Sequence, residues 1–281
     1  MVGQHQVTMP WGTLSYTRAG TGAPLLLVHS LALSGRMWQP TLDDFAAAHD
    51  VIAVDLRGHG ASEWDGRQFS VDDLADDLRQ LLDHLGIERA HVLGLSMGGS
   101  VATLFAINHG DRLDRLILAD TTSCYGPDAP ATWEARAAAA ESKPRERQIP
   151  FQITRWYSDD YPRLHAEEVS RVVGIFLRTN PRAHAQACRA LGALDARERL
   201  GKISAPTTVL VGAEDYATPP AMAQVLSEGI PGATLQVWPR LRHFGILESA
   251  DMRRTALAAL RGEALPPVPA ARADGLACCQ I

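Results

Sequence analysis

The sequence predicts an α/β fold in which a mostly parallel sheet is flanked by helices and interrupted by a helical insertion. Short apolar runs alternate with longer mixed segments, which is typical of parallel strands covered on both faces. This alternation is interrupted by roughly eighty residues in which only helical patterns occur, and strand patterns then return. The interruption is far longer than an ordinary connection between two elements. A serine between two glycines also follows an apolar run and precedes a helical stretch.

Seven segments predict the strands. Residues 13–18 alternate in polarity and predict an edge strand. The buried strands are predicted at residues 25–28, 51–55, 91–95, 116–120, 207–211 and 234–238. Between them, leucines recur at helical spacing over Val71–Leu85 and predict an amphipathic helix, with Ser70 before it as a typical N-cap.

The pattern also predicts the domain organisation. We expect residues 1–120 and 203–262 to form the two parts of one α/β core, and residues 121–202 to form a helical cap. An alanine-rich helical run occupies residues 133–141 of this cap. A proline-rich segment opens residues 263–281, which are expected to be a disordered tail.

Composition restricts the classes of function. Hydrophobic residues make up 46%, charged residues 21%, and the net charge is −5, so neither nucleic acid nor an anionic membrane is expected as a partner. No apolar run is long enough to span a bilayer, and the first six residues do not resemble a signal peptide. The four cysteines show neither metal-ligand nor disulfide spacing. We therefore expect a cytoplasmic protein without a metal, and the oligomeric state stays open.

The segment Gly-Leu-Ser-Met-Gly-Gly at residues 94–99 is the strongest signal of function. Its strand, sharp turn and helix context is the one that a Gly-x-Ser-x-Gly nucleophile elbow requires. Side chains at Gly94 or Gly98 would collide with the neighbouring strand and helix. The turn is expected to lift the Ser96 hydroxyl clear of the sheet, which makes Ser96 the candidate nucleophile.

A serine nucleophile needs a base, and the base needs an acid that orients it. In elbow-type hydrolases the acid follows the serine along the chain. Asp215 directly follows the strand predicted at 207–211, and two prolines restart the chain as a helix after it. Asp120, at the end of the strand predicted at 116–120, is the rival. We favour Asp215, and interpret Asp120 as a strand-end or capping carboxylate.

The base is expected beyond a strand that follows both partners. Among the ten histidines, His243 meets this condition, because it lies five residues after the strand predicted at 234–238. The oxyanion formed by attack on a carbonyl needs two backbone donors. The N–H of Met97, directly after the serine, and that of Leu31, in the loop after the strand predicted at 25–28, are the candidates.

The chain resembles the α/β-hydrolase superfamily over about residues 13–261 and, within it, is most similar to the 3-oxoadipate enol-lactonases. The similar segments are His-Ser-Leu at 29–31, Arg-Met-Trp at 36–38, the elbow at 94–99, Arg-Trp-Tyr at 155–157, Cys-Arg-Ala-Leu at 188–191 and Asp-Tyr-Ala-Thr-Pro-Pro at 215–220. Departures occur at 31–33, where Leu-Ala-Leu replaces the usual Leu-Gly, and at Asp120, where asparagine is common. Arg240 and Arg242 flank His243, where they could repel its protonated form or bind an anionic substrate.

The resemblance implies an α/β-hydrolase fold and a serine hydrolase that opens an enol-lactone without a cofactor, in the degradation of aromatic compounds. The implied product, 3-oxoadipate, is a dianion, so a cation near the pocket is expected. The candidates are Arg36 and the cap arginine Arg155, although Arg36 could instead tie its loop to the core. The tryptophans that could line the pocket or simply pack in the core are Trp38, Trp133 and Trp156.

Other functions are compatible with the same residues. The triad also suits a broad carboxylesterase, a perhydrolase or a carbon–carbon bond hydrolase. Dehalogenase and epoxide-hydrolase chemistry are disfavoured because they need an aspartate where this chain has Ser96. A non-catalytic small-molecule receptor with the same fold is the alternative from a different class.

Overall fold

The computed structural model describes residues 3–270, and within them the chain forms an eight-stranded sheet. The strands are β1 (Gly3–Met9), β2 (Gly12–Ala19), β3 (Ala23–Val28), β4 (His49–Val54), β5 (Ala90–Leu95), β6 (Leu113–Ala119), β7 (Thr207–Gly212) and β8 (Thr234–Trp238). They lie in the order β1-β2-β4-β3-β5-β6-β7-β8. Strand β2 pairs antiparallel with β1 and β4, and the remaining pairs are parallel. The predicted fold class is confirmed.

Helices cover both faces of this sheet. They are α1 (Leu42–Ala46), α2 (Val71–Leu85), α3 (Met97–Asn108), α4 (Ala129–Ser142), α5 (Ile149–Trp156), α6 (Tyr161–Leu164), α7 (Ala166–Arg178), α8 (Pro181–Gly192), α9 (Pro220–Gly229), α10 (Gly245–Glu248) and α11 (Ala250–Arg261). Short 3₁₀ segments lie at Gly35–Thr41, Gly110–Arg112, Arg145–Gln148 and Arg197–Lys202. In the described part of the chain, no helix has both the length and the apolar character needed to cross a bilayer.

The central strands are buried on both faces, as their uninterrupted apolar sequence predicts. In β3, Leu26 and Val28 belong to one apolar cluster, whereas Leu25 and Leu27 belong to the cluster on the opposite face. All four side chains are inaccessible to solvent. Because successive strand residues point to opposite faces, an all-apolar strand requires a cover on each side.

Helix α2 has the predicted bounds, and its ends are well defined. Ser70 and Asp73 form a reciprocal capping box at the start, with the Ser70 hydroxyl accepting from the Asp73 amide. Gly86 ends the helix in the left-handed conformation with φ of 65°. Between these ends, its leucines are buried in the cluster that also contains β3 and β5 residues.

Five helices, α4 to α8, stand between β6 and β7, where the helical cap is expected. Helices α4 and α8 pack closely, since a Cβ on Gly192 would lie 2.8 Å from the Cβ of Trp133. Arg189 on α8 also forms an ion pair with Glu134 on α4 at 2.9 Å. These contacts hold the two helices together above the carboxyl edge of the sheet.

Strand β1 was not predicted from the sequence. Most of its side chains are exposed, so it carries no apolar run. It is held at the sheet edge by its antiparallel register with β2.

The predicted disordered tail is described only to residue 270, and within that part the Pro266 carbonyl accepts a hydrogen bond from Gln236 at 2.9 Å. Residues 271–281 of the predicted tail lie outside the described residues.

Candidate active site

The predicted elbow has the strained geometry that its sequence indicates. Ser96 lies between β5 and α3 with φ of 59° and ψ of −120°, a backbone conformation that a serine adopts at a cost. A Cβ on Gly94 would lie 2.2 Å from the carbonyl oxygen of Gly98. A Cβ on Gly98 would lie equally close, 2.2 Å, to the carbonyl oxygen of Val28 in β3. Glycine is therefore required at both positions for the turn to pack against β3.

His243 connects Ser96 to Asp215. Its Nε2 is 2.8 Å from Ser96 Oγ, and its Nδ1 is 2.8 Å from Asp215 Oδ2. All three residues are at most 6% exposed. An ionised carboxylate only accepts hydrogen bonds, so Nδ1 carries the ring proton and Nε2 is free to accept the serine hydroxyl proton. The structure thus brings together the three residues that the sequence selected.

Asp215 is held ionised by its loop. Its Oδ1 accepts from the amides of Ala217 at 2.7 Å and Thr218 at 3.1 Å, and Oδ2 accepts from the Thr218 hydroxyl at 2.7 Å. Burial acts to raise the pKa of Asp215, but the charge and hydrogen bond of His243, together with the Thr218 donors, outweigh it and lower this pKa. The carboxylate can therefore stabilise a protonated His243.

Asp120, the rival acid, has a different position. Its Oδ1 accepts from the Gly212 amide at 2.8 Å, at the end of β7, just before the Asp215 loop. Burial, followed by the negative charge of Asp215, raises the pKa of Asp120 well above its usual value, against the opposing Gly212 hydrogen bond. The Asp120 carboxyl group therefore links the ends of β6 and β7, in agreement with the strand-end interpretation.

The two candidate oxyanion donors are both free to bind a ligand. Within residues 3–270, neither the Met97 amide nor the Leu31 amide donates a hydrogen bond to another protein group. Met97 is the first residue of α3, where an amide has no partner inside the helix. Leu31 lines the same cavity as Ser96.

The loop that presents Leu31 is fixed from both sides. The His29 ring donates to the Ser30 carbonyl at 2.8 Å and accepts from the Leu56 amide at 2.9 Å. Ala32 has φ of 59°, and its carbonyl accepts from the Thr179 hydroxyl of the cap at 2.7 Å. These contacts give His29 a structural role in this loop, and the Thr179 hydroxyl also helps to shape it.

The cap closes over Ser96 and leaves a cavity of about 30 Å³. A space of this size holds only one or two water molecules. Trp133 and Trp156 line this cavity as expected, and so does Arg155. No acidic side chain lines it within the described part of the chain.

Two residues proposed for the substrate pocket lie elsewhere. Arg36 lines a separate cleft of about 690 Å³ beside the N-terminal hairpin, and is exposed there. Trp38 is completely buried and packs edge-on against Phe45, with ring centroids 6.5 Å apart. The structure therefore corrects both assignments: Arg36 faces this separate cleft, and Trp38 is buried in an apolar cluster.

The two arginines around His243 also stay outside the cavity. Arg242 donates to the carbonyls of Thr154 and Tyr157 at 3.0 and 3.1 Å and forms an ion pair with Asp159 at 2.7 Å. Arg240 lines a different surface cleft. Arg242 therefore docks the end of α5 onto the His243 loop, and this contact positions the base under the cap.

Sequence reasoning missed five lining residues within the predicted cap. They are Tyr125, Arg136, Gln152, Phe176 and His184. Arg136 is half-buried, with its guanidinium 4.0 Å from the Trp133 ring centre. Which helix face points to Ser96 depends on how α4, α5 and α8 are rotated against each other, and no local sequence signal gives that rotation.

Among residues 3–270, no cluster of ligand-type side chains fits a metal ion.

Glu248 links the predicted cap to the segment that follows His243, and its ionisation makes the free energy of unfolding depend on pH. It accepts hydrogen bonds from the Ser158 amide, at 3.0 Å, and from the Ser158 hydroxyl. Burial raises the pKa of Glu248 to about 7, above the 4.5 of a free side chain. The folded state thus binds this proton more tightly, so Glu248 lowers stability as pH rises from about 4.5 to 7.

We expect Glu248→Gln, which keeps the shape and stays neutral, to be more stable than the original protein at pH 8 by about 1–3 kcal/mol and equally stable near pH 4. Urea unfolding of both proteins at the two pH values measures the difference. A difference that does not change with pH would contradict a buried, titrating Glu248.

Comparisons with known proteins agree with this architecture. The family model described as alpha/beta hydrolase fold matches residues 23–250. A 3-oxoadipate enol-lactonase of Acinetobacter baylyi is 34% identical over 213 residues, which cover 76% of this chain and 79% of that protein. The crystal structure of the enol-lactonase from Burkholderia xenovorans superposes with a TM-score of 0.83 and 29% identity, over 89% of this chain and 96% of that one.

A thermophilic esterase from Thermogutta terrifontis, solved with malate bound, superposes with a TM-score of 0.82 and 30% identity, over 93% of this chain and 98% of that one. The matched region contains the whole sheet from β3 to β8, the cap and the loops that carry Ser96, Asp215 and His243. The chain belongs to the α/β hydrolase fold family.

Proposed function

We propose that this protein is a serine hydrolase that cleaves a small carboxylic ester or lactone through an acyl-enzyme. The observation that carries the proposal is the buried chain of contacts from Ser96 through His243 to Asp215, each 2.8 Å long. His243 takes the hydroxyl proton as Ser96 Oγ attacks the carbonyl carbon, and the Met97 and Leu31 amides receive the developing oxyanion. His243 then protonates the leaving oxygen and later activates the water that releases the acid.

The proposed substrate carries a carboxylate. Arg136 and Arg155 line the cavity, and neither pairs with a carboxylate among residues 3–270. Burial, followed by the charge of Arg136, lowers the pKa of Arg155 to about 10, so two partly desolvated cations face the space above Ser96. A bound carboxylate would relieve both the desolvation and the repulsion between them. The enol-lactonases among the relatives support a lactone related to 3-oxoadipate as this substrate.

A carboxylesterase is the second candidate, because the malate-bound esterase covers nearly the whole chain. Hydrolysis rates on 3-oxoadipate enol-lactone and on p-nitrophenyl acetate, each with Ser96→Ala as the blank, discriminate between the two. We expect a higher kcat/KM on the lactone. A clear preference for the simple ester would favour the esterase, and no turnover of either compound would favour a receptor.

The two cap arginines give a sharper prediction. Replacing Arg136 or Arg155 with methionine should raise KM for p-nitrophenyl monosuccinate by about 10–100-fold, since each charge-assisted hydrogen bond contributes about 1.5–3 kcal/mol. The rate on neutral p-nitrophenyl acetate should change little.

Arg36→Met is the matched control, because Arg36 lies in the separate cleft. Steady-state kinetics of the three variants on both esters measure the effect. Equal losses on the charged and the neutral ester would show that these arginines do not recognise a carboxylate.

A further inference from the structure

Arg145 is a buried cation that pairs with no carboxylate among residues 3–270. It is 8% exposed and starts the 3₁₀ segment between α4 and α5. Its guanidinium donates from Nε to the Phe176 carbonyl at 2.8 Å, with Nη2 donating to the same oxygen, and lies 4.0 Å from the Phe176 ring centre. Two of its three nitrogens are therefore fixed on one carbonyl at the end of α7.

The third nitrogen fixes the tautomer of a histidine. Arg145 Nη1 is 3.2 Å from His184 Nδ1. A guanidinium has donors and no acceptor, so Nδ1 must accept, and the single proton of a neutral ring then lies on Nε2. Burial, and then the charges of Arg145, His59 and Arg136, lower the pKa of His184 well below its usual value. The ring is therefore a neutral donor at physiological pH.

The Nε2–H group of His184 has no protein acceptor among the described residues. His184 is 5% exposed, and it lines the same cavity as Ser96, His243 and Arg136. Since Nδ1 is bonded to Arg145, Nε2 is the ring nitrogen left to bind a ligand in this cavity. A hydrogen bond from this donor to a carboxylate would be charge-assisted, and such bonds are among the stronger ones in proteins.

We propose that His184 is a specificity-determining residue whose Nε2–H donates to the carboxylate of the bound substrate, and that Arg145 is the positioning residue that keeps the proton on this nitrogen. The proposal rests on the hydrolase function above and adds a neutral donor to the two cap arginines. A carboxylate has about four acceptor sites, so it can receive all three groups. An uncharged donor adds direction to the site without further repulsion between cations.

Binding of adipate, a stable dicarboxylate, to the Ser96→Ala protein tests this contact without turnover. In that background, His184→Phe should weaken the calorimetric Kd by about tenfold, because the ring is kept and the donor is lost. His184→Gln, whose side-chain amide can place a donor near the Nε2 position, should bind within about threefold of the parent. His165→Phe, at a half-exposed cap histidine outside the cavity lining, is the matched control.

Unchanged binding in His184→Phe, or equal losses in the Phe and Gln variants with both folded, would overturn the proposal. So would the absence of measurable adipate binding to the Ser96→Ala parent. ¹⁵N NMR of histidine-labelled protein gives a second readout that does not depend on the Phe variant folding. We expect the His184 proton on Nε2 and a shift of this signal with adipate, and a proton on Nδ1 would also overturn the proposal.

The experiments distinguish failure of the hydrolase proposal from failure of the proposed His184 contact. If the original protein hydrolyses p-nitrophenyl acetate and adipate binding does not depend on His184, the function stands and the inference is wrong. If no ester or lactone is hydrolysed but adipate binding still needs the His184 donor, the contact stands as part of a binding site. The hydrolase proposal is then wrong.

Discussion

Replacement of Ser96 by alanine is expected to lower kcat for ester or lactone hydrolysis by about 10⁴–10⁶-fold, since Ser96 carries the hydroxyl that is hydrogen-bonded to His243 Nε2. The fold should persist, because the Ser96 backbone is held by hydrogen bonds of its amide to Ala119 and of its carbonyl to Thr121 rather than by its hydroxyl. Rates on p-nitrophenyl acetate, with thermal melting as a check on folding, measure the effect.

Ser204→Ala, at an exposed serine before β7, is the control and should keep full activity. Comparable rates for Ser96→Ala and the original protein would remove Ser96 as the nucleophile. A loss of both activity and folded structure would show instead that the hydroxyl stabilises the turn.

The pair Asp215→Asn and Asp120→Asn separates the two acids that the sequence left open. Asp215→Asn should lower kcat by about 10⁴-fold, because an amide does not stabilise a protonated His243 and favours the wrong tautomer. Asp120→Asn should stay within about tenfold of the original protein, since the amide oxygen can still accept from Gly212 and Asp120 does not contact His243.

Steady-state kinetics of both variants on one ester decide the assignment. A large loss in Asp120→Asn together with a small one in Asp215→Asn would reverse the roles. Similar large losses in both variants would indicate that the hydrogen bond from the Gly212 amide to Asp120 is needed to hold the Asp215 loop in place.

The sheet and the elbow could be predicted because their signals are local. Both faces of β3 are buried, so its apolar run has no polar interruption, and the two glycines that the turn requires stand within five residues of chain around Ser96. His243 and Asp215 could be selected because each follows a strand, and parallel strands deliver their carboxyl ends to one edge. The structure places these two side chains and Ser96 within hydrogen-bonding distance.

The pocket could be predicted only in part. Arg155 and the two cap tryptophans were named as candidates and line the cavity, but Arg136 and His184 were missed. Their positions depend on helix rotation within the cap, which is set by contacts such as the close approach of Gly192 to Trp133. Arg36 was misplaced because the 3₁₀ segment Gly35–Thr41 decides which cleft it faces, and a sequence motif does not carry that geometry.

Covalent trapping tests the activated serine most directly. The protein is incubated with phenylmethylsulfonyl fluoride, and the modified residue is identified by mass spectrometry of the intact chain and of its peptides. We expect one adduct per chain on Ser96, no adduct in Ser96→Ala, and a much slower reaction in His243→Ala. Modification of a different residue, or labelling of Ser96 at the same rate without His243, would contradict a hydroxyl activated by the imidazole at 2.8 Å.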